Sequence, residues 1–487
     1  LSGFLLLLQR SSQRVVPLLL SSLLAGIAPL TVLAVEPESG EPLPASLGDL
    51  TAPPPLPLPQ STDDFGEPTL RPLSMEEAQQ LAQANHPSLH ALALEVKSRE
   101  AQLEASFLNL LKPQVTLQSS SGLPSFSLQH QYDQTSSSTS GEVGTNINVD
   151  VVWLWKNPQL EPGLAADRHG LEQLRLQRKL LERDVRLQVA EAYHEVQRTD
   201  GEVKLRVAAV DAAQATLTIS QARHRAGVAA RLDVLQAQNQ LIDSEALLAS
   251  AKAGQITARR HLARVLNLPQ GVVPTAHDPN TRQGTWGATL EESVIAAFAS
   301  REELQQFLAA IQERDERAKE ALAALQPTIS LFATGSWGQD SGNLINRASG
   351  PELRGQISTA LGLRFTVPLS DGGSSQASAR RWTLAARQQE HLLANARNSF
   401  QENVEREFSA LHAQEKVLEL RERQVEVQKE ILELTRARYE AGVATQQDMI
   451  DQQNTLTRAA VNHTWAIVDY NLNLARLHRY TGLPIQP

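Results

Sequence analysis

The sequence predicts a mainly α-helical chain with a transmembrane β-barrel portion, written twice. Three observations predict it. Of 487 residues, 41% are hydrophobic but only 4% aromatic, and the rest is rich in Ala, Leu, Gln, Glu and Arg, the alphabet of long packed helices. Two halves of the chain align at an offset of about 215 residues, the signature of an internal repeat. Each half also carries runs of about ten residues in which apolar and polar side chains alternate, the length and period of a strand that crosses a bilayer.

Composition excludes several functions. The formal charge of −9, from 45 basic and 54 acidic residues without a basic block, lacks the electrostatic footprint of a nucleic-acid binder. With no Cys there is no disulfide, thiolate metal site, thiol nucleophile or lipid on cysteine, and two Met do not build a thioether copper relay. No GxSxG, Walker A, HExxH or GxGxxG arrangement occurs, so no enzyme and no cofactor is predicted. His86 and His90 have the four-residue spacing of metal ligands on a helix, but Pro87 interrupts them and no metal is assigned there.

The first element is a targeting signal. Arg10 and Arg14 precede an uncharged stretch at 15–35, and Val32 and Ala34 suit a cleavage site, which gives a signal peptide at 1–34. Pro17 and Pro29 argue against the alternative, a membrane anchor. Residues 35–72 follow as a Pro-rich disordered linker, since 10 of the 25 prolines fall between Glu36 and Pro72. No later segment holds 18 consecutive apolar residues, so any membrane entry must be as β-strands.

The repeat then occupies 73–269 and 288–487, with an inter-repeat linker at 270–287. Residues 222–241 lie on 437–456 without a gap, with ten identities in twenty positions, among them Arg223/Arg438, Gly227/Gly442, Asp233/Asp448 and Asn239/Asn454. Each copy opens on a capping box, Ser74 with Glu77 and Thr289 with Glu292, that starts a helix ending near Lys112 or Gln326.

Two strands of about ten residues come next in each copy. In the first, Val115 and Leu117 alternate with polar neighbours, as do Ile147, Val149, Val151, Trp153 and Trp155; in the second the series are Ile329, Leu331 and Ala333, then Ile357, Thr359, Leu361, Leu363 and Phe365. Ser- and Gly-rich loops at about 134–144 and 338–355 join the members of each pair.

A long helix follows. Between Asp371 and Arg438 there is no Pro, the only Gly are Gly372 and Gly373, and apolar positions recur at three, four or seven, so a helix of roughly 100 Å is predicted. Gly442 turns the chain into a return helix from about 446 to 480, and Gly227 does the same in the first copy. Four strands per chain are too few to close a barrel, which needs about eight, so oligomerisation is implied.

This order of elements, with Phe365-Thr366-Val367-Pro368-Leu369-Ser370-Asp371-Gly372-Gly373 at a strand-to-helix junction, LSMEEAQQLAQANHPSL at 73–89 and two R-x-x-A-G-V turns at Arg223 and Arg438, resembles the TolC-like outer-membrane efflux proteins. The resemblance implies a homotrimer with a 12-stranded barrel in outer-membrane lipid, four strands per chain, above a trimeric α-helical tunnel through the periplasm. It implies a passive exit duct of an efflux or type I secretion system, driven by an inner-membrane pump and recruited by a periplasmic adaptor. By motif, Asp448 and Asp451 match an aspartate-lined periplasmic aperture, and Asp233 and Tyr439 match positions that hold it closed. Gly227, Val228, Gly442 and Val443 match the hairpin turns that meet the adaptor. Ala444 stands where the family often has a tunnel-closing Arg, and the first copy has Lys156-Asn157-Pro158 in place of Asp-Gly-Gly. The belt around the tunnel is expected from 270–288. The competing expectation is a periplasmic coiled-coil scaffold without lipid-facing strands.

Overall fold

The computed structural model describes residues 69–119, 125–133, 136–299, 301–341 and 353–486. The predicted signal peptide and the linker up to residue 68 lie outside them.

Strand β1 (Thr69–Leu73) comes first and pairs in parallel with β5 (Val272–Ala276). The sequence reading extends the disordered linker to Pro72. Residues 69–72 are instead held in this ladder, and the side of Leu73 that leaves it is fully buried. A five-residue strand holding Pro72 carries no periodicity of its own; its partner two hundred positions away defines it.

Helix α1 (Met75–Asn85) starts on the predicted box: Ser74 Oγ accepts from Glu77 N–H at 3.2 Å, and Ser74 N–H donates to the Glu77 carboxylate at 2.8 Å. The single helix expected up to Lys112 is two. Pro87 lacks an N–H and disfavours helical geometry before it, so His86 is extended (ψ 118°) and α2 (Pro87–Leu111) begins afresh with Pro at its first position. The second copy is likewise broken, into α5 (Leu290–Ala299) and α6 (Glu302–Ala323), with the Thr289–Glu292 box in place at the start.

The long hairpins match the predicted lengths. Helices α3 (Leu160–Arg225, 66 residues) and α7 (Ser374–Glu440, 67 residues) each extend about 100 Å at 1.5 Å per residue. Return helices α4 (Arg231–Val265) and α8 (Gln446–Thr481) pack antiparallel against them. Ala466, Tyr470, Leu474 and Leu477 of α8 meet Val404, Leu411 and Leu418 of α7 in one buried cluster of aliphatic residues around a single tyrosine. No described helix is long and apolar enough to cross a membrane.

One antiparallel sheet contains β2 (Gln114–Ser119), β3 (Ser125–Asp133), β4 (Ser136–Lys156), β6 (Thr328–Ser341) and β7 (Leu353–Thr366). β2 and β3 pair with successive halves of β4, so together they occupy one position in the order β2-β4-β6-β7. Strands β4, β6 and β7 are longer than predicted, and much of the segment read as a loop at 134–144 is ladder, with Ser136 opposite Asp133 and Gly144 opposite Ser125. Ser136 to Gly141 contains no apolar residue, so no alternation marks it as strand; backbone pairing needs none. The second loop also shrinks, since β6 continues to Ser341 and β7 starts at Leu353.

The segment between β5 and α5 straps the helices together. Asp278 lies against α3, where its Oδ2 accepts from the Tyr193 hydroxyl at 2.9 Å and from Met75 N–H at 2.8 Å. Farther on, Gln283 N–H donates to Oδ1 of Asn471 on α8, and Asn471 Nδ2 donates back to the Thr281 carbonyl of the strap. Arg282 reaches Glu415 of α7 at 2.5 Å and stacks 4.7 Å from the Tyr470 ring centroid. The strap is pinned at its end where Thr285 and Gln486 exchange backbone hydrogen bonds.

Candidate functional site: hairpin tips and a two-faced sheet

The two hairpin tips are built alike. In the first, Gly227 N–H donates to the His224 carbonyl at 2.9 Å and Val228 N–H to Arg223 at 3.0 Å; in the second, Gly442 donates to Tyr439 at 3.0 Å and Val443 to Arg438 at 2.9 Å. Gly227 and Gly442 have φ of 77° and 75°, left-handed geometry that a Cβ disfavours, with open space around each. Val228 and Val443 are exposed apolar residues at the ends of both hairpins. On the α7 side of the second tip an open groove of about 540 Å³ is lined by Ile431, Leu434, Thr435, Ala437, Arg438, Ala441 and Val443.

The acidic residues sit in the first turns of the return helices. Asp448 completes a capping box that the sequence reading did not single out: its Oδ2 accepts from Thr445 N–H at 2.8 Å and from the Thr445 hydroxyl at 2.7 Å, while Thr445 Oγ1 accepts from Asp448 N–H. The hydrogen bonds from the Thr445 hydroxyl and then its backbone N–H hold the exposed Asp448 carboxyl below the usual aspartate range, so it is a fixed negative charge at neutral pH. Asp451, one turn on, accepts from Gln447 Nε2 at 2.9 Å. Asp233 occupies the matching place on α4 and accepts from Ala230 N–H at 2.9 Å; Ala230 offers no side-chain acceptor, so this box is half built.

Tyr439 joins different partners from those of Asp233. Its hydroxyl donates to Gln446 Oε1 at 2.5 Å, and its ring lies under the guanidinium of Arg223, 4.7 Å from the centroid. Arg223 belongs to the first hairpin and Tyr439 to the second, so this stack ties one tip to the other. A second tie lies farther along the helices, where Gln240 and Asn454 exchange amide hydrogen bonds at 2.6 and 2.9 Å. The sequence marks Arg223 and Asn454 only as repeat identities; it does not pair them with partners. The remaining histidine pair is not gathered at a site: His90 Nε2 lies 2.6 Å from the Ala84 carbonyl, and no cluster of three or more metal-ligating side chains exists among the described residues.

At the other end of the helices the sheet has two chemically distinct faces. Register places Val115, Leu117, Ile147, Val149, Val151, Trp153, Leu331, Ala333, Trp337, Ile357, Leu361 and Leu363 on one face. Thr116, Asn148, Asp150, Thr334, Ser336 and Ser358 fall on the other, where the Ser336 and Ser358 hydroxyls meet at 2.5 Å. Ile357 and Leu361 are each 77% exposed, a degree of apolar exposure that water does not favour. A register shift between Leu154 and Lys156 leaves Trp155 unpaired and turns Lys156 opposite Ile329, at the apolar face's lower edge. Below the sheet the two strand-to-helix bends differ. Gly372 and Gly373 take positive φ and Asp371 caps Gly373 and Ser375 at 2.9 and 2.7 Å, whereas the first copy turns on Asn157, whose side chain accepts from Gln159 N–H at 3.1 Å.

An apolar-faced sheet carried on helix pairs about 100 Å long defines a class, the channel proteins that join membrane strands to a periplasmic helical body. The family model described as outer membrane efflux protein matches residues 78–268 and 295–483, once in each half. The chain belongs to this outer membrane efflux protein family. It is 25% identical over 301 residues to outer membrane protein TolC of Vibrio cholerae, covering 61% of this chain and 67% of that protein. Among solved structures it is similar to the open state of the Neisseria gonorrhoeae MtrE outer membrane channel, with a TM-score of 0.64, 19% identity and coverage of 90% and 99% of the two chains. A membrane protein from Pseudomonas aeruginosa gives a TM-score of 0.68 at 16% identity, with 89% and 100% covered. The Campylobacter jejuni CmeC outer membrane channel gives 0.64 at 16%, with 89% and 94% covered. The protein is thus an outer-membrane transport protein of the TolC kind.

Proposed function

We propose that three copies of this chain form a passive exit duct, in which twelve strands close a barrel in the outer membrane and the helix pairs form a tunnel through the periplasm. The observation that carries this reading is the sheet: one face is apolar, the other polar, and β2 and β7 are edges with no outer partner among the described residues. An open edge and an exposed apolar face are both costly in a single copy; closure with further copies satisfies the edge hydrogen bonds, and lipid covers the face. Four strand positions per copy reach twelve in a threefold ring.

In this reading residues 1–34 are the removed signal, the Pro-rich segment is a leader, and 73–269 and 288–487 are equivalent halves joined at 270–287. The tips at Gly227, Val228, Gly442 and Val443 meet a periplasmic adaptor, with the apolar groove beside Val443 as part of that surface, and an inner-membrane pump supplies the energy. Asp448 and Asp451, three apart and therefore on one helix face, gather six carboxylates around the threefold axis as the periplasmic aperture. Asp233 and Tyr439 support the closed arrangement, with Tyr439 held by Arg223 and Gln446 rather than by an Arg at position 444.

The test is planar-bilayer conductance of the purified protein with multivalent cations added to each side in turn. Block from the periplasmic side that disappears in the Asp448→Ala, Asp451→Ala double variant is the expected result. Unchanged block in an assembled double variant removes the aperture assignment, and a detergent-independent soluble oligomer removes the duct.

A further inference from the structure

The polar face of the sheet carries an apolar and cationic patch near its helix end. Phe332 of β6 lies opposite Val152 of β4 and Gly362 of β7, and the neighbouring row places Leu154, Ser330 and Arg364 side by side. Every other described position on this face of β4 and β6 from Asn148 to Ser336 is polar. The Phe332 ring leans onto β7, where Gly362 makes room for it: a Cβ there stands 3.1 Å from two ring carbons, tighter than normal contact. The Arg364 guanidinium covers the ring, 5.0 Å from its centroid.

Arg364 is solvent-exposed and has no ion-pair or hydrogen-bond partner among the described residues. A guanidinium offers a planar fork of N–H donors suited to a carboxylate, sulfonate or phosphate, and a ring beside it offers stacking. Asp150 lies on this face one row beyond Val152, so an anion held by Arg364 sits on the helix side of that carboxylate.

We propose that Phe332 and Arg364, with Val152 and Leu154, form a contact site for anionic aromatic solutes on the inner wall of the barrel, a little above the point where the strands join the helices. The inference rests on the duct reading, in which the polar face is the lumen. Three copies of the site in one ring give cargo carrying both a flat apolar group and a negative charge a transient holding point, while neutral or aliphatic solutes pass without it. Gly362 is a positioning residue that sets the ring against β7.

The experiment uses the full chain in detergent with a fluorinated naphthalenesulfonate as probe and a fluorinated hexanesulfonate as control, read by ¹⁹F line broadening. In parallel, protease protection of the strands in liposomes tests the barrel. Protected strands with broadening of the aromatic probe only, reduced about fivefold by Phe332→Leu and by Arg364→Gln but unchanged by Ser336→Ala, are expected. Protected strands with equal broadening of both probes, or with Phe332→Leu and Arg364→Gln indistinguishable from the parent, overturn the site and leave the duct standing. Unprotected strands overturn the duct and the site with it.

Discussion

The guanidinium of Arg223 lies 4.7 Å above the ring of Tyr439, so the end of one long helix grips the end of the other. Both residues close the last turn before a glycine hairpin, and their carbonyls accept N–H groups of those turns. The stack therefore couples the two tips directly. A half-exposed cation–π contact contributes about 0.5–1 kcal/mol. Arg223→Gln is predicted to speed amide hydrogen exchange of both tips by roughly two- to fivefold, the same energy expressed as a population. Faster exchange confined to the first tip shows that the hairpins are not coupled.

The capping box on α8 predicts a local rather than a global effect. Thr445→Ala removes the side-chain acceptor for Asp448 N–H and costs about 1 kcal/mol, seen as faster exchange in the first turn of α8 while the middle of the helix is unchanged.

The pH dependence follows from the depressed Asp448 carboxyl. Because its folded value lies below the unfolded one, its contribution is complete above the ordinary aspartate range and is lost as pH falls through the lower folded value. First-turn protection in α8 is predicted to persist through mildly acidic pH and fail only below the usual aspartate range. Loss near pH 6 contradicts the assignment.

Gly201 predicts a graded series. A Cβ added there stands 2.7 Å from Thr464 Cγ2, where α3 meets α8 beside the Arg198–Asp469 ion pair. Alanine gains about 1 kcal/mol of helix propensity against a similar packing cost, so Gly201→Ala is close to neutral, whereas Gly201→Val destabilises by about 1–3 kcal/mol. Thermal unfolding of the two variants decides it; equal midpoints for both mean that the helices have room.

The two sheet faces predict opposite tolerance to charge. Leu361→Lys, on the apolar face, is expected to reduce membrane insertion at a cost of up to about 4 kcal/mol, depending on its depth in the bilayer, whereas Ser358→Lys on the polar face is tolerated. Equal yield of membrane-inserted protein from both variants removes the barrel reading.

Much of this protein is legible in its sequence because the relevant signals are local. Helix starts at Ser74 and Thr289 need only two residues three apart, the long helices need only an unbroken period without Pro, and the strand faces need only alternation from Ile357 to Phe365. The repeat adds the hairpin tips, since Gly227 and Gly442 stand at equivalent places and both require positive φ. Where a local signal is weak or points both ways, the reading fails: Ser136 to Gly141 lacks alternation and is strand, and Pro87 splits a helix whose apolar pattern continues across it.

The tertiary structure alone decides which distant groups meet. Tyr193 and Asp278 are 85 positions apart and Gln240 and Asn454 are 214 apart, and no periodicity links them. The parallel pairing of Thr69–Leu73 with Val272–Ala276 and the lean of Phe332 over Gly362 belong to the same class. Backbone geometry repeats every two or 3.6 residues and so leaves a pattern in the chain, whereas a contact between elements depends on how whole helices and strands pack, which no short window of residues contains.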